Sequence, residues 1–334
     1  MANTAVWFLV LVLLRLEPTA PSGAYRDTRP LFEDGLRFGR GASHPPGEGG
    51  RAFVYLDYAS THKALAELQK EHPTLVRLFS AQDNPAWAAD TPSPGACGDQ
   101  GPCKQWYAQI TADADHPAWA DIGASGSGGG SSGGSGGDPH AAARAAFAAR
   151  PEVFFSGSLH GNERVGPTTT VEFARLLVEN YVHGSNTWLR RLVDTRSIWI
   201  MPNANAKGYY ENIREEPTPH SGRIDPNRDF PYGARASECM RTTAARALNH
   251  LFREHLFQLA ITFHGGMRAI SYEWGSPNHA TYSPDDGALL PLGTRMQQYA
   301  AFVRELRAKR PGVLEEALEE RARTRRVIVA KRAR

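Results

Sequence analysis

Residues 152–163 read Glu-Val-Phe-Phe-Ser-Gly-Ser-Leu-His-Gly-Asn-Glu. The first seven, Glu152–Ser158, form a short run rich in Val and Phe, the composition of a strand, and the run breaks into a polar turn at His160-Gly-Asn-Glu163. Downstream, Thr168–Val182 carries Val171, Phe173, Leu176, Leu177 and Tyr181 as a helix face, and Ser197–Met201 (SIWIM) reads as a second, buried strand. Ser237–Phe257 reads as a long helix, Leu259–Phe263 (LAITF) as a third strand ending at His264, and residues 285–308 as a further helix. Upstream, Leu65, Leu68, Leu75 and Leu78 recur at near-helical spacing from Tyr58, interrupted at His72-Pro73, where a new helix could start. Lys104–Thr111 (KQWYAQIT) alternates and is aromatic-rich, which reads as a strand. Strands alternating with helices predict an α/β fold: a mixed, mostly parallel sheet with helices on both faces, an α/β/α sandwich. In such sheets function gathers where strands give way to loops.

The remainder of the 334 residues divides by composition. Val6–Leu14 is an unbroken apolar run, too short for a membrane span and followed by prolines and small residues; residues 1–24 read as a signal peptide, although no Lys or Arg precedes the run. Residues 25–50, rich in Gly, Pro and Arg, read as a disordered or pro-like lead-in. Residues 123–137 are Gly and Ser apart from Ala124, and the surrounding 113–150 reads as an insertion in a surface loop. Residues 304–334 hold eleven Lys/Arg against five Asp/Glu, a basic charged tail, and leave 27 basic against 30 acidic residues elsewhere. The net charge of +3 is therefore a property of the tail, and nothing in the charge supports a nucleic-acid partner. Three cysteines are too few for a disulfide scaffold. Cys97 and Cys103 flank a turn-rich span that a disulfide could close in an oxidising compartment, and Cys239 is expected buried on a helix.

Three segments can carry chemistry. In His160-Gly-Asn-Glu163 a histidine and a carboxylate three apart in a tight turn can aim at one point; His264-Gly-Gly ends a strand. Together His160, Glu163 and His264 would make a His₂Glu set that suits zinc and leaves one position open for water. Alone, HxxE is weak in a chain with twelve histidines. Asp225-Pro-Asn-Arg228-Asp-Phe offers an amide and a planar guanidinium that can grip a carboxylate, with Asp225 placed to orient a ligand histidine. By itself it reads better as an ordinary turn with a surface arginine, and Arg214 more strongly still as a solvated loop charge.

The order of the motifs carries more than any one of them. A strand followed by HGNE, then Pro202-Asn-Ala-Asn205, Asn212-Ile-Arg214, Asp225-Pro-Asn-Arg228-Asp-Phe and a strand ending in Phe263-His-Gly-Gly resembles the M14 family of zinc metallocarboxypeptidases. The resemblance covers roughly Tyr58 to Trp274 and includes the phrase EHPTLV. It implies a carboxypeptidase-like domain over 51–303 and hydrolysis of the C-terminal peptide bond by metal-activated water. It further implies one Zn²⁺ per chain held by His160, Glu163 and His264, with Asp225 orienting the first histidine. Asn227 and Arg228 would bind the terminal carboxylate, and Arg214 would polarise the scissile carbonyl. The implied partners are peptide or protein C-termini, in the extracellular space or the secretory-pathway lumen.

The chain departs from the family downstream of His264. The family's general-base glutamate lies on a strand well past the third ligand, and no glutamate here matches it. Glu305, Glu315, Glu316, Glu319 and Glu320 sit in a charged helical pattern, and Glu273, which reads as lying on a strand, is only nine residues past His264. Tyr282 and Tyr299 have no better claim to the family's mobile tyrosine. The expectation is a domain incomplete at its C-terminus, a truncated or mis-spliced reading of a longer enzyme, able to bind zinc yet turning over slowly or not at all. Two alternatives stand beside it: a non-catalytic zinc-containing binder of C-terminal carboxylates, and a zinc N-acyl amino acid deacylase of the same fold.

Overall fold

The computed structural model describes residues 55–112, 149–184, 186–219, 221–231, 236–266, 269–273 and 282–299. The readings on the signal peptide, the lead-in, nearly all of the Gly/Ser-rich insertion and the basic tail lie outside them. The described chain divides into two units, one running to Gly266 and one beginning beyond it.

In the first unit, helix α1 (Tyr58–Glu71) starts where the Asp57 carboxylate accepts from the Ser60 amide at 2.7 Å, and it stops before Pro73. The chain beyond Pro73 forms strand β1 (Val76–Ser80), not a second helix, so Leu78 lies on a strand and Leu75 just before it. The run Val-Arg-Leu-Phe-Ser pairs antiparallel with β2 (Trp106–Ile110), which in turn pairs antiparallel with β4 (Ser197–Met201). Strand β3 (Glu152–Gly157) lies parallel to β4 on one side and parallel to β7 (Phe257–Phe263) on the other. The five-stranded order is β1-β2-β4-β3-β7, a mixed sheet as expected.

Side chains alternate between two cores, as the pleat requires. Ile198 and Ile200 of β4 join Ala108 and Ile110 on one face, beneath α1, α2 (Val165–His183) and α3 (Thr187–Thr195). Trp199 and Met201 join Tyr107 and Phe154 on the other, beneath Ala247, Leu248 and Leu251 of α5 (Thr243–Glu254). Helices thus cover both faces. The connection leaving β3 crosses one face to reach β4, and the later connection through α5 crosses the opposite face to reach β7. This makes the C-terminal end of β3 a topological switch point, where open α/β sheets place ligands.

Helix α5 is shorter than the expected 237–257. Thr242 caps it by accepting from the Ala245 amide at 3.1 Å, and residues Ala236–Glu238 form only a single 3-10 turn. Cys239 therefore lies half-buried at a bend, not buried on the helix. Between β4 and the Asp225 loop come the short helix α4 (Ala206–Glu211) and the two-stranded ribbon β5 (Glu216–Thr218) and β6 (Gly222–Ile224). Cys97 and Cys103 are bridged and buried against Tyr58, Ala206 and Tyr209.

In the second unit Glu273 lies at a bend, not on a strand, where its carboxylate accepts from Ser283 Oγ at 3.0 Å. Tyr272 Oη donates to Asp286 at 2.7 Å, at the start of α6 (Asp286–Tyr299), and Tyr282 is exposed. No helix among the described residues is long and apolar enough to cross a membrane.

Candidate metal centre

Gly157 at the end of β3 stands opposite Phe263 at the end of β7. The turn after one strand and the residue after the other therefore meet at the same edge. Ser158 takes a left-handed φ of 51°, uncommon for a residue other than glycine, and directs the chain into the turn. Glu163 closes that turn by donating its amide to the His160 carbonyl at 3.1 Å.

His160, Glu163 and His264 converge. Glu163 Oε1 lies 2.8 Å from His160 Nδ1, its Oε2 lies 2.8 Å from His264 Nδ1, and the two Nδ1 atoms are 3.2 Å apart. Two imidazole nitrogens cannot both point protons at each other across such a gap. Two nitrogens and a carboxylate facing one point, at spacings near the roughly 3.3 Å between tetrahedral ligands 2.0–2.1 Å from a zinc ion, are what a cation would resolve. Among the described residues this is the one such group of three or more His, Cys, Asp or Glu. The donor set thus fits zinc.

The surroundings bias the charges. Burial holds His160 below the ordinary histidine range, opposed by Glu163 and Asp225 beside it. For Glu163, burial acts to raise the carboxyl, but the Gly265 amide and the two histidines outweigh it and hold the group below its usual value. His160 is thereby biased to neutral and Glu163 to ionised, the states in which each is a metal ligand.

Asp225 Oδ1 lies 3.2 Å from His160 Nε2, within charge-pair reach but without the alignment of a hydrogen bond, so Nε2 is buried and unsatisfied. The same carboxylate receives Arg214 through Nε at 3.1 Å and Nη2 at 3.0 Å, and it caps the 3-10 turn Pro226–Arg228 by accepting from the Asn227 amide at 2.8 Å. Arg214 Nη1 is 3.8 Å from Glu163. The geometry thus brings five sequence-predicted residues together: His160, Glu163, His264, Asp225 and Arg214. Asn227 reaches the group through its backbone. Arg228 is exposed, its Nη1 donating to the Asn227 carbonyl at 2.9 Å.

Sequence reasoning missed Ser158, the close approach at Gly161 and the work of Asn205. A Cβ on Gly161 would stand 2.1 Å from the Gly208 carbonyl carbon and 2.3 Å from the Ile213 oxygen. The signal for Asn205 was the motif Pro202–Asn205, visible as a phrase but not as a set of bonds.

The chain is similar to known proteins over part of its length. The carboxypeptidase D of Mus musculus is 31% identical over 193 residues, 53% of this chain and 13% of that protein. The carboxypeptidase M of the same species is 27% identical over 152 residues, 41% of this chain and 33% of that protein. This chain therefore spans well under two thirds of either. Among solved structures, the thrombin activatable fibrinolysis inhibitor is 12% identical with a TM-score of 0.48, covering 72% of this chain and 54% of that one. Residues 61–312 match the family described as Zinc carboxypeptidase (Peptidase_M14), three quarters of the sequence, and the chain belongs to that family.

Proposed function

We propose that the chain is a zinc-dependent carboxypeptidase-type protein acting on peptide or protein C-termini, with His160, Glu163 and His264 as the ligands of one zinc ion. The observation that carries this reading is the convergence of those three donors at 2.8–3.2 Å from two strand ends. Zinc held there would supply Lewis acidity toward the scissile carbonyl and lower the pKa of a water molecule. Asp225 stands 3.2 Å from the outer nitrogen of His160, close enough to accept its N–H after a small adjustment and so to fix the ring's tautomer and direction in the loaded site. Arg214, anchored on Asp225, presents its guanidinium beside the metal ligands, where it can accept the negative charge that develops on the carbonyl oxygen. Asn227 and Arg228 receive the substrate's terminal carboxylate; the exposed fork of Arg228 is free of any buried pairing that recognition would have to break.

A second reading, a zinc-containing binder of C-terminal carboxylates that does not turn over, draws on a specific observation. The two carboxylates beside the histidines are both committed, Glu163 to the two imidazoles and Asp225 to Arg214 and the Asn227 amide. Neither is left to act as general base. The secretory pathway is the proposed location, supported by the apolar run Val6–Leu14 and by the Cys97–Cys103 disulfide.

The test offers the full chain with zinc a blocked dipeptide, its C-terminal amide and an N-acyl amino acid. Release of the last residue from the free-acid peptide alone supports the peptidase. Binding of that peptide without release supports the binder, and cleavage of the N-acyl amino acid alone supports the deacylase of the same fold. Failure to bind zinc at all sinks each of these readings.

A further inference from the structure

Asn205 is fully buried and joins three segments that the site needs in register. Its backbone amide donates to the Ser158 carbonyl at 2.9 Å, at the exit of β3. Its Oδ1 accepts from the Gly208 amide at 2.8 Å and so caps α4. Its Nδ2 donates to the Arg214 carbonyl at 3.2 Å, and that same carbonyl accepts from the Gly161 amide, inside the metal-binding turn, at 3.1 Å. Gly161 and Gly208 provide the space: a Cβ on Gly208 would sit 2.4 Å from Asn205 Nδ2, and one on Gly161 would strike Gly208.

A helix cap needs only the Oδ1 acceptor, which a serine supplies as well. The amide nitrogen, reaching nine residues along the chain to Arg214, serves no helix. We infer that Asn205 is a positioning residue: its carboxamide locks the Arg214 backbone to the turn carrying His160 and Glu163, so that the guanidinium and the metal donors share one frame. Its bearing on chemistry rests on the zinc reading above, whereas the lock itself does not.

Two variants of the full chain test the lock, and the first separates it from capping. Asn205→Ser keeps a cap and removes the reach to Arg214. Gly208→Ala leaves Asn205 in place and pushes its carboxamide aside, which keeps the test alive if the first variant fails to fold. In the metal-free protein, the Gly161 amide should exchange its hydrogen about fivefold faster or more in either variant, as expected for a weakened hydrogen bond. The Tyr209 amide, bonded within α4 to the Asn205 carbonyl at 2.9 Å, should not change. Zinc affinity, measured by chelator competition, should fall on the order of tenfold. Unchanged Gly161 exchange in a folded variant overturns the lock, and faster exchange with unchanged zinc affinity overturns the positioning role. A wild-type chain that binds no zinc refutes the metal reading, while Gly161 exchange still decides whether Asn205 is the lock.

Discussion

The turn carrying His160 and Glu163 and the loop carrying Asn227 and Arg228 lie on either side of the Arg214–Asp225 pair, and they are built differently. The turn buries His160 and Gly161, packs glycine against glycine on α4, and is tied through the Gly161 amide to the Arg214 carbonyl. The loop is one 3-10 turn, capped by a single aspartate, and ends in an exposed arginine. A metal tolerates little error in where its donors sit, so rigidity belongs in the turn. Under the proposed function, a carboxylate arriving from solvent needs a charged fork that can adjust, so freedom belongs in the loop. Removing a donor should damage metal binding, and removing the fork should damage only peptide binding.

The largest effect is expected at the donors. His264→Ala or Glu163→Gln should weaken zinc by more than the roughly 10–100-fold typical of losing an outer partner of a ligand. Chelator competition measures this, and a loss below tenfold would remove both residues from the coordination set. Gly161→Ala sharpens the same side of the comparison. Its Cβ meets backbone on two sides, so the turn must shift, at a cost of about 1–3 kcal/mol in a denaturant melt together with weaker zinc. An alanine accepted without cost would show that the turn is not closely packed.

On the loop side, Arg228→Ala should leave zinc affinity unchanged and stability within about 0.5 kcal/mol, since the side chain is exposed. Affinity for a free-acid peptide should drop roughly 10–100-fold, the worth of a lost charge-assisted pair, with no effect on a C-terminally amidated peptide. Equal loss for both peptides would take Arg228 out of carboxylate recognition.

How far each region was legible follows from where its bonds go. The strands at 152–158 and 197–201 were readable because their side chains serve cores on both sheet faces, which demands continuous apolar runs. The convergence of His160, Glu163 and His264 was readable because each stands just past such a run. The register at Pro73 was not: Leu75 and Leu78 keep a helical spacing by coincidence, and only the antiparallel partner some thirty residues on makes Val76–Ser80 a strand. The early start assigned to α5 failed similarly, because the local Thr242 cap is fixed by groups that come from elsewhere in the chain. Glu216 accepts from the Thr243 and Ala244 amides at 2.6 and 3.0 Å, and Asp229 accepts from Thr242. Asn205 reads as an ordinary polar residue until its bond to Arg214 is seen.

Glu216 lies between the two regions along the chain, and it supplies the smallest and most particular expectation. It follows Arg214 by two residues, and its carboxyl, 1% exposed, caps the helix that leads into β7 and so to His264. Burial drives its pKa up from 4.5 to about 7, with the two capping amides and Arg246 opposing and Asp229 adding to the rise. A carboxyl raised on folding binds its proton more tightly in the folded chain. Its contribution to stability is therefore complete below about pH 4.5 and is lost as pH climbs through about 7. Over that window the slope can approach about 1.4 kcal/mol per pH unit. Glu216→Gln keeps an acceptor for the helix amides and cannot ionise. The difference in melting temperature between the variant and the natural chain should therefore widen in the variant's favour from pH 4.5 to 7. Parallel profiles would mean that the carboxylate stays charged in its buried seat, held by the helix amides alone. The helix start that Glu216 caps would then be insensitive to pH.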